Sequence, residues 1–245
     1  MERPWATFAF LTVLPGPDAR GRREQGYVVR PGIGYFPLVG LLVGVLQSGA
    51  WWAVSRGFGP ELAAAAAIGT GLLATRGLHW DGWLDSCDAL FGGHDRQRRL
   101  EILRDSHAGA FAVVGAVWTM LVQWVALSYN PSPPAALLLA ATASRWAMAV
   151  AVVAFPAARA EGLAAWIKRE ARWVHAGAAS LVAAGAAAAL AGTFGLVSLA
   201  AAGLVGMAFG WWACRLLGGL TGDQYGAVQV LAETSTLLLL ASRGR

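Results

Sequence analysis

Long apolar segments are the feature that most constrains the fold of this chain. Seven of them alternate with polar segments, and a helix needs about 20 apolar residues to cross a bilayer. In lipid every backbone N–H and C=O must be satisfied internally, which an α-helix achieves within one segment. The sequence therefore predicts an all-α, polytopic integral membrane helix bundle with about six to seven transmembrane helices. The predicted segments are 36–54, 62–78, 110–129, 135–155, 176–193, 197–217 and 226–241.

The low charge content supports the same class of protein. Only 13% of the 245 residues are charged, about half the share typical of soluble domains. In a membrane protein the net charge of +5 sets orientation and contact with anionic headgroups, and no basic patch interleaved with aromatic residues indicates a nucleic-acid partner. We interpret residues 1–245 as one membrane-embedded catalytic domain. Segment 226–241 carries Glu233, so it either crosses the membrane or re-enters it.

Basic residues are concentrated in three polar segments. Residues 1–35, 79–109 and 156–175 carry five, four and four of them, whereas the intervening turns carry only Arg56. Cytoplasmic loops of membrane proteins are enriched in Lys and Arg. We therefore expect a multi-pass protein of the cell (inner) membrane whose three polar segments face the cytoplasm. Within the second of them, residues 95–106 have one apolar and one basic side, which predicts an amphipathic helix at the membrane interface.

Acidic residues are concentrated in segment 79–109, which holds six of the 14 in the chain. On a helix, Asp81, Asp85 and Asp88 recur at i, i+4 and i+7 and share one face. Three carboxylates on one face repel one another unless a cation lies among them, and Mg²⁺ or Mn²⁺ prefers such oxygen ligands. Gly82 would let a bulky ligand approach the backbone. The pattern favours a metal site bound to phosphate; the alternative is an acidic surface paired with downstream arginines.

Two further polar motifs have the chemistry to act on phosphate. Arg104 could bind a phosphate through two parallel hydrogen bonds, and Asp105 could add a metal ligand. The glycine-rich turn 218–223 would expose backbone N–H groups to an anion. Its last residue, Asp223, could bind metal or accept a hydroxyl proton. The alternative for this turn is a simple connector.

One arginine is predicted to lie in the middle of a membrane-spanning segment. Arg145 is ten residues from either end of segment 135–155, and a charged side chain at that depth costs about 2.5–3.5 kcal/mol on insertion scales. It must therefore face a polar cavity or an acidic partner, and Glu233 in the last segment has the same requirement. Substrate binding and a structural ion pair both remain open for this charge.

The sequence resembles the cobalamin synthase family over nearly its whole length. The motifs that carry the resemblance are FLTVLP (10–15), GLHWDGWLDSCD (77–88), RLEILRDS (99–106) with Gly109, Ser144-Arg145, GGLTGD (218–223), Gly226-Ala227 and Glu233.

The resemblance implies an integral membrane, Mg²⁺-dependent phosphotransferase. Members of this family join adenosylcobinamide-GDP to α-ribazole or α-ribazole 5′-phosphate and release GMP, the last stage of nucleotide-loop assembly in cobalamin biosynthesis. The residues that it implies as metal ligands are Asp81, Asp85, Asp88 and Asp105. Those that it implies as catalytic are Asp81, Asp85, Asp88 and Asp223, with Asp88 or Asp223 accepting the proton of the attacking hydroxyl. Those that it implies as substrate-binding are His79, Gly82, Arg104, Asp105, Ser106, Arg145, Gly219, Thr221, Gly222 and Glu233.

Two other functions compete with this interpretation. A phosphatidyltransferase of the CDP-alcohol type also builds its metal site from Asp residues on membrane helices, and a membrane transporter or scaffold is the alternative from another class. A transporter should hold its carboxylates near the bilayer midplane, whereas these lie at the edge of apolar segments. Besides the lipid bilayer, we expect association with further copies of the chain or with other cobalamin-assembly enzymes, and no nucleic acid.

Overall fold

The computed structural model describes residues 4–15 and 31–243, and this part of the chain is built from α-helices. A 3-10 turn at Ile33–Tyr35 leads into the second of them. Strand-like pairing in the described residues is limited to one bridge, between Ala157 and Leu220. The helices are α1 (Pro4–Leu11), α2 (Phe36–Ser55), α3 (Pro60–Thr75), α4 (Leu78–Gly92), α5 (Arg96–Ile102), α6 (Ala110–Ser128), α7 (Pro133–Ala154), α8 (Leu163–Lys168), α9 (Trp173–Leu217) and α10 (Gly222–Ser242).

Each of the seven predicted apolar segments is mostly helical, although segment 62–78 runs past the end of α3 into the turn at Arg76 and Gly77. Within the described residues, α2 with its leading turn, α6, α7 and α9 are long and apolar enough to cross a membrane, and α3 is a shorter apolar helix. Helix α10 contains Asp223 and Glu233, and whether it crosses or re-enters stays a prediction. The predicted all-α polytopic membrane bundle is confirmed.

Helix α9 differs from the prediction in how its two segments are joined. The sequence predicts a turn over 192–196, but only Gly192 departs from helical geometry (φ 61°, ψ −140°). This left-handed φ is open to glycine at little cost. A Cβ added at Gly195 would collide with the carbonyl of Ala187, so the chain reverses direction here. The two predicted segments are therefore two helices that are joined at Gly192 and fold back on each other.

Helix α7 is the centre of the bundle. In its most apolar window 78% of the residues are buried, against 22% in α9, and α2, α9 and α10 all pack on it. Two glycines bring α2 close: an added Cβ would lie 2.7 Å from the Cα of Thr142 at Gly40, and 2.7 Å from the Cα of Leu138 at Gly44. Without a hydrophobic driving force between helices in lipid, such close packing is a main source of association.

The connections at one end of the bundle are joined by hydrogen bonds from arginine side chains to main-chain carbonyls. These bonds connect Arg76 to Thr12 (3.0 Å), Arg96 to Leu217 (2.8 Å) and Arg159 to Leu100 (2.9 Å). Segments 79–109 and 156–175 therefore meet directly, and Thr12 of the first segment is tied to the end of α3 that leads into α4. Five basic residues of the orientation prediction lie outside the described residues: Arg3, Arg20, Arg22, Arg23 and Arg30.

The predicted amphipathic helix at 95–106 forms but is shorter than expected. Asp95 caps its start by accepting a hydrogen bond from the N–H of Arg98 (2.8 Å). After Ile102 the chain tightens into turns, because Arg104 and Asp105 donate to carbonyls three residues back. The residues from 103 onward thus lead towards α6 instead of extending the helix.

We expect Gly44→Ala to lower the apparent melting temperature of the purified protein in detergent. The added Cβ would force α2 away from α7, and overpacking of this kind typically costs about 1–3 kcal/mol. Differential scanning fluorimetry measures the change. Gly49→Ala is the matched control, because Gly49 lies in the same helix with nothing within 4 Å of an added Cβ. Equal melting temperatures for the two variants would contradict this packing.

Candidate active site

Helix α4 carries the three predicted carboxylates. It starts at Leu78, directly after Arg76 and Gly77. Both of these residues have left-handed φ (54° and 67°), and they end α3. Asp81 therefore lies in the first turn of α4 and is exposed, Asp85 is half-buried, and Asp88 is buried. The helix assumed for the three carboxylates is thus present and spans Leu78–Gly92.

A fourth carboxylate, Asp223, comes next to them because α4 and α10 cross at glycines. A Cβ added at Gly82 would lie 2.6 Å from the carbonyl oxygen of Asp223, and one at Gly226 would lie 3.0 Å from that of His79. The Gln224 side chain also donates to the hydroxyl of Ser86 on α4 (3.2 Å). No side chain separates the two backbones at this point.

The first turn of α10 holds Asp223 in place. The Thr221 hydroxyl lies 2.7 Å from a carboxylate oxygen of Asp223 and 2.7 Å from the amide oxygen of Gln224. Gln224 in turn accepts a hydrogen bond from the Thr221 N–H (3.0 Å), which closes a capping box at the helix start. The chain folds this way because Thr at the N-cap and Gln at the third helical position satisfy free backbone donors.

The carboxylates of α4 and α10 interact electrostatically. Burial, together with the smaller effects of the charges of Asp223, Asp81 and Asp88, raises the pKa of Asp85 to about 7. Burial also raises the pKa of Asp223, against the opposing effects of the Thr221 hydrogen bond and Arg159. A site that disfavours its own negative charges in this way attracts a cation.

Asp88 has a structural partner that the sequence did not reveal. Its two carboxylate oxygens accept hydrogen bonds from the backbone N–H groups of Gly109 (2.5 Å) and Ala112 (2.9 Å). These donors belong to the start of α6, where a carboxylate also interacts favourably with the helix dipole. A Cβ at Gly109 would lie 2.7 Å from Asp88 Oδ1, so glycine permits this close contact.

Two cavities meet at Asp223 and Gly222. The first, of about 80 Å³, is mostly apolar; besides His79, Asp81, Tyr225 and Gly226 it is lined by Phe10, Leu11, Phe36, Leu78, Met148, Val152 and Ile167. The second, of about 240 Å³, is lined by Leu103, Arg159, Glu161, Gly162, Ala164, Leu220 and Thr221. Asp223 is therefore reachable from an apolar and from a polar side.

The predicted glycine-rich turn forms a wall of the polar cavity. Gly218 is left-handed (φ 76°), and a Cβ at Gly219 would lie 2.6 Å from the backbone of Ala157 and Ala158. The turn thus packs against residues 156–162. From the sequence alone, this segment was interpreted only by its positive charge. Its Arg159 lines the cavity with Thr221 and Asp223 and was not predicted as a site residue. The sequence signal that could have identified Arg159 was its place in a polar segment close, at one end of the bundle, to the GGLTGD motif.

Arg145 and Glu233 lie in a separate, small polar cavity of about 20 Å³ inside the bundle. Arg145 is 2% exposed, and its charge interacts with that of Glu233. The Gln229 side chain donates to Glu233 and to Ser144. The other polar residues that line this cavity are Gln47, Thr75, His79, Trp80 and Gln123. Arg145 therefore has both a polar cavity and an acidic partner, either of which would meet its predicted requirement. His79 lines this cavity as well as the apolar one.

Asp105 and Ser106 do not line any of these three cavities in the described part of the chain. Both are exposed, and Asp105 Oδ1 contacts the ring of His107 at 2.7 Å and accepts from its backbone N–H. The side-chain and backbone hydrogen bonds from His107 lower the pKa of Asp105. The neighbouring Arg104 is exposed and lies close enough to Arg159 for their charges to interact. The roles predicted for Arg104, Asp105 and Ser106 stay predictions.

The acidic residues suit a divalent cation by chemistry but are not yet arranged around one. In the described part of the chain, no three His, Cys, Asp or Glu side chains converge as metal ligands. The mutual repulsion at Asp85 nevertheless identifies α4 and the start of α10 as the place where a cation would be most stabilised. Asp81, Asp85 and Asp223 fit this role by donor type, whereas both oxygens of Asp88 already have partners.

Comparison with known proteins gives consistent matches along the chain. Three relatives are named adenosylcobinamide-GDP ribazoletransferase. The one from Herpetosiphon aurantiacus is 35% identical, with 95% of this chain and 93% of the relative covered. The one from Desulforamulus reducens is 34% identical, with the same coverage of both chains. The one from Deinococcus radiodurans is 38% identical, with 94% of this chain and 81% of the relative covered.

No solved structure matches the chain. The family described as cobalamin-5-phosphate synthase matches residues 3–241, a range that includes α4, the α4–α10 crossing and both cavities at Asp223. This chain therefore belongs to the cobalamin-5-phosphate synthase family.

Proposed function

We propose that this chain transfers a phosphoryl-linked cobinamide from adenosylcobinamide-GDP to α-ribazole or its 5′-phosphate. A hydroxyl oxygen of the ribazole forms a bond to the cobinamide-side phosphorus, and the bond from that phosphorus to the oxygen of GMP breaks. The hydroxyl proton passes to a carboxylate, and GMP leaves. Family membership supports the reaction, and the observation that carries it here is the position of Asp223, which borders two cavities and interacts electrostatically with Asp85 and Asp81.

We assign the proton acceptor to Asp223. It borders both cavities, and the Thr221 hydroxyl lies against its carboxylate, which favours one orientation. A general base must lie within hydrogen-bond reach of the proton that it removes. Asp88, the other candidate, is buried with both oxygens occupied by the start of α6, and it is better suited to fixing α4 against α6.

Asp81 and Asp85 would hold a Mg²⁺ ion, with Asp223 close by. When bound, such an ion supplies neutralisation of phosphate charge, which is a large part of catalysis in phosphoryl transfer. The residues of this chain do the remaining work. The α4–α10 contact fixes the carboxylates relative to one another, and the apolar residues of the smaller cavity exclude water from one side of Asp223.

We also propose that this end of the bundle faces the cytoplasm from the inner membrane. The charge asymmetry of the sequence supports it, since the described basic segments meet at the end that carries the carboxylates. A cysteine introduced at Gln97, in exposed α5, should then react with a membrane-impermeant maleimide only from the cytoplasmic side.

We expect the purified protein to release GMP from adenosylcobinamide-GDP when α-ribazole and Mg²⁺ are present. Chromatography of the nucleotides measures the release, and it should stop with EDTA and resume with added Mg²⁺. A CDP-activated lipid with an alcohol acceptor is the control substrate pair. Release of CMP from that pair, without GMP from the first, would reject the assignment in favour of a phosphatidyltransferase.

Asp81→Asn and Asp85→Asn should each lower turnover by about 10²–10³-fold, since they remove charge that acts in the transition state. Steady-state GMP release measures the loss, and raising Mg²⁺ should recover part of it. Glu101→Gln is the matched control, because Glu101 is an exposed carboxylate that pairs with Arg98 at 3.3 Å on α5. Wild-type turnover in both Asp variants would exclude them as metal ligands.

Gly82→Ala should lower turnover by about a hundredfold, a loss typical of misplacing reacting groups by 1 Å. The variant changes no functional group; its Cβ would separate α4 from Asp223. GMP release, with size-exclusion elution as a check of folding, measures the effect. Gly69→Ala is the control, because an added Cβ at Gly69 meets nothing within 4 Å. Unchanged turnover in Gly82→Ala would mean that this crossing does not position the site.

A further inference from the structure

The polar cavity beside Asp223 contains a guanidinium whose role the reaction scheme leaves open. Arg159 lines this cavity of about 240 Å³ together with Thr221 and Asp223. Its Nη2 donates to the carbonyl of Leu100 (2.9 Å), while its Nε is buried and has no hydrogen-bond partner among residues 4–15 and 31–243. A buried donor left unpaired is costly, so an acceptor from outside the described chain would be stabilised here.

The walls around Arg159 are fixed by main-chain contacts. Ala158 and Leu220 are joined by a backbone hydrogen bond (2.9 Å), and Leu220 also donates to the carbonyl of Pro156 (2.8 Å). The Arg96 side chain, through its bond to the carbonyl of Leu217, joins α5 to the same turn. These bonds hold the loop that carries Arg159 against the glycine-rich turn, and the bond from Nη2 to the carbonyl of Leu100 orients the guanidinium.

The charges around Arg159 favour an anion. Burial lowers the pKa of Arg159, and the positive charge of Arg104 lowers it further, whereas Asp223 opposes both. Two neighbouring guanidinium groups repel each other in the absence of a shared anion. Glu161 also lines the cavity, but it is exposed, and solvent screens its charge.

We propose that Arg159, with Arg104 beside it, binds the guanosine-side phosphate of adenosylcobinamide-GDP and hence of the leaving GMP. This assignment rests on the proposed function. A guanidinium can give a phosphate two parallel hydrogen bonds. When the bond between the cobinamide-side phosphorus and the GMP oxygen breaks, negative charge gathers on that oxygen. Arg159 contacts the phosphate that carries this oxygen and neutralises the charge.

This arrangement orients the diphosphate across Asp223. The guanosine-side phosphate lies in the polar cavity at Arg159, and the cobinamide-side phosphorus lies nearer to Asp81 and Asp223. The attacking hydroxyl and the leaving GMP are then on opposite sides of the reacting phosphorus, as in-line displacement requires. Arg159 is therefore expected to act on one substrate only.

The test compares Arg159→Gln with Arg159→Lys and Arg104→Gln in the full-length protein in nanodiscs. For Arg159→Gln we expect the KM for adenosylcobinamide-GDP and the inhibition constant of GMP to rise by about 10–100-fold, the range for hydrogen bonds to charged groups. The KM for α-ribazole should stay at the wild-type value. Arg159→Lys should recover part of the GMP affinity, and Arg104→Gln should weaken it less than Arg159→Gln. Arg169→Gln is the matched control, since Arg169 is an exposed arginine of the same polar segment.

Calorimetric titration of GMP into wild type and variants makes this test independent of turnover. If the wild type releases no GMP from substrate, the proposed function fails, and equal GMP binding by wild type and Arg159→Gln then rejects this site as well. In an active protein, unchanged GMP affinity or a change confined to the KM for α-ribazole would also overturn it. Should Arg159→Gln fail to fold because it loses the bond to Leu100, Arg104→Gln decides: wild-type GMP affinity in that variant rejects the site.

Discussion

The close contact between α4 and α10 is the interaction on which the rest of this site depends. Gly82 and Gly226 leave the two backbones without side chains between them, so carboxylates from opposite ends of the sequence share one small volume. This proximity has an electrostatic cost, because the neighbouring carboxylates add to the effect of burial in raising the pKa of Asp85. In lipid, helix packing through small residues can offset that cost, because close van der Waals contact is a main source of helix association. Helix packing thus keeps the like charges close together, and a bound cation would relieve their repulsion.

The interior of the bundle solves a related problem for Arg145. A charge at the centre of an apolar helix is expensive, and here it shares a polar cavity with Glu233, Gln229 and other hydrogen-bonding side chains. His79 lies between this cavity and the apolar one at Asp81. Displacing the buried network would therefore move the first turn of α4, on which Asp81 lies. A structural role for Arg145 accounts for its position without any contact to substrate.

The helices and the main carboxylates could be predicted from the sequence, because each depends on local spacing. Apolar length gave the seven segments, and the i, i+4, i+7 pattern placed Asp81, Asp85 and Asp88 on one helix. The spacing of residues in the sequence does not show which other element a helix face packs against. Asp88 faces the start of α6 more than twenty residues later, and Arg159 reaches the site through a loop whose only visible signal was charge. The break between segments 176–193 and 197–217 was predicted, but it is shorter than expected, because a single glycine with positive φ at Gly192 is enough to join the two helices.

Cavity size limits how the proposed substrate can bind. The two cavities at Asp223 have volumes of about 80 Å³ and 240 Å³, and a corrin ring with its amide side chains is far larger than either. Only the phosphate arm and nucleotide of adenosylcobinamide-GDP can therefore enter between α4, α10 and the loop at Arg159. The macrocycle must stay outside the bundle, at the end where the basic segments meet. For the proposed substrate, recognition inside the protein then falls on phosphate charge.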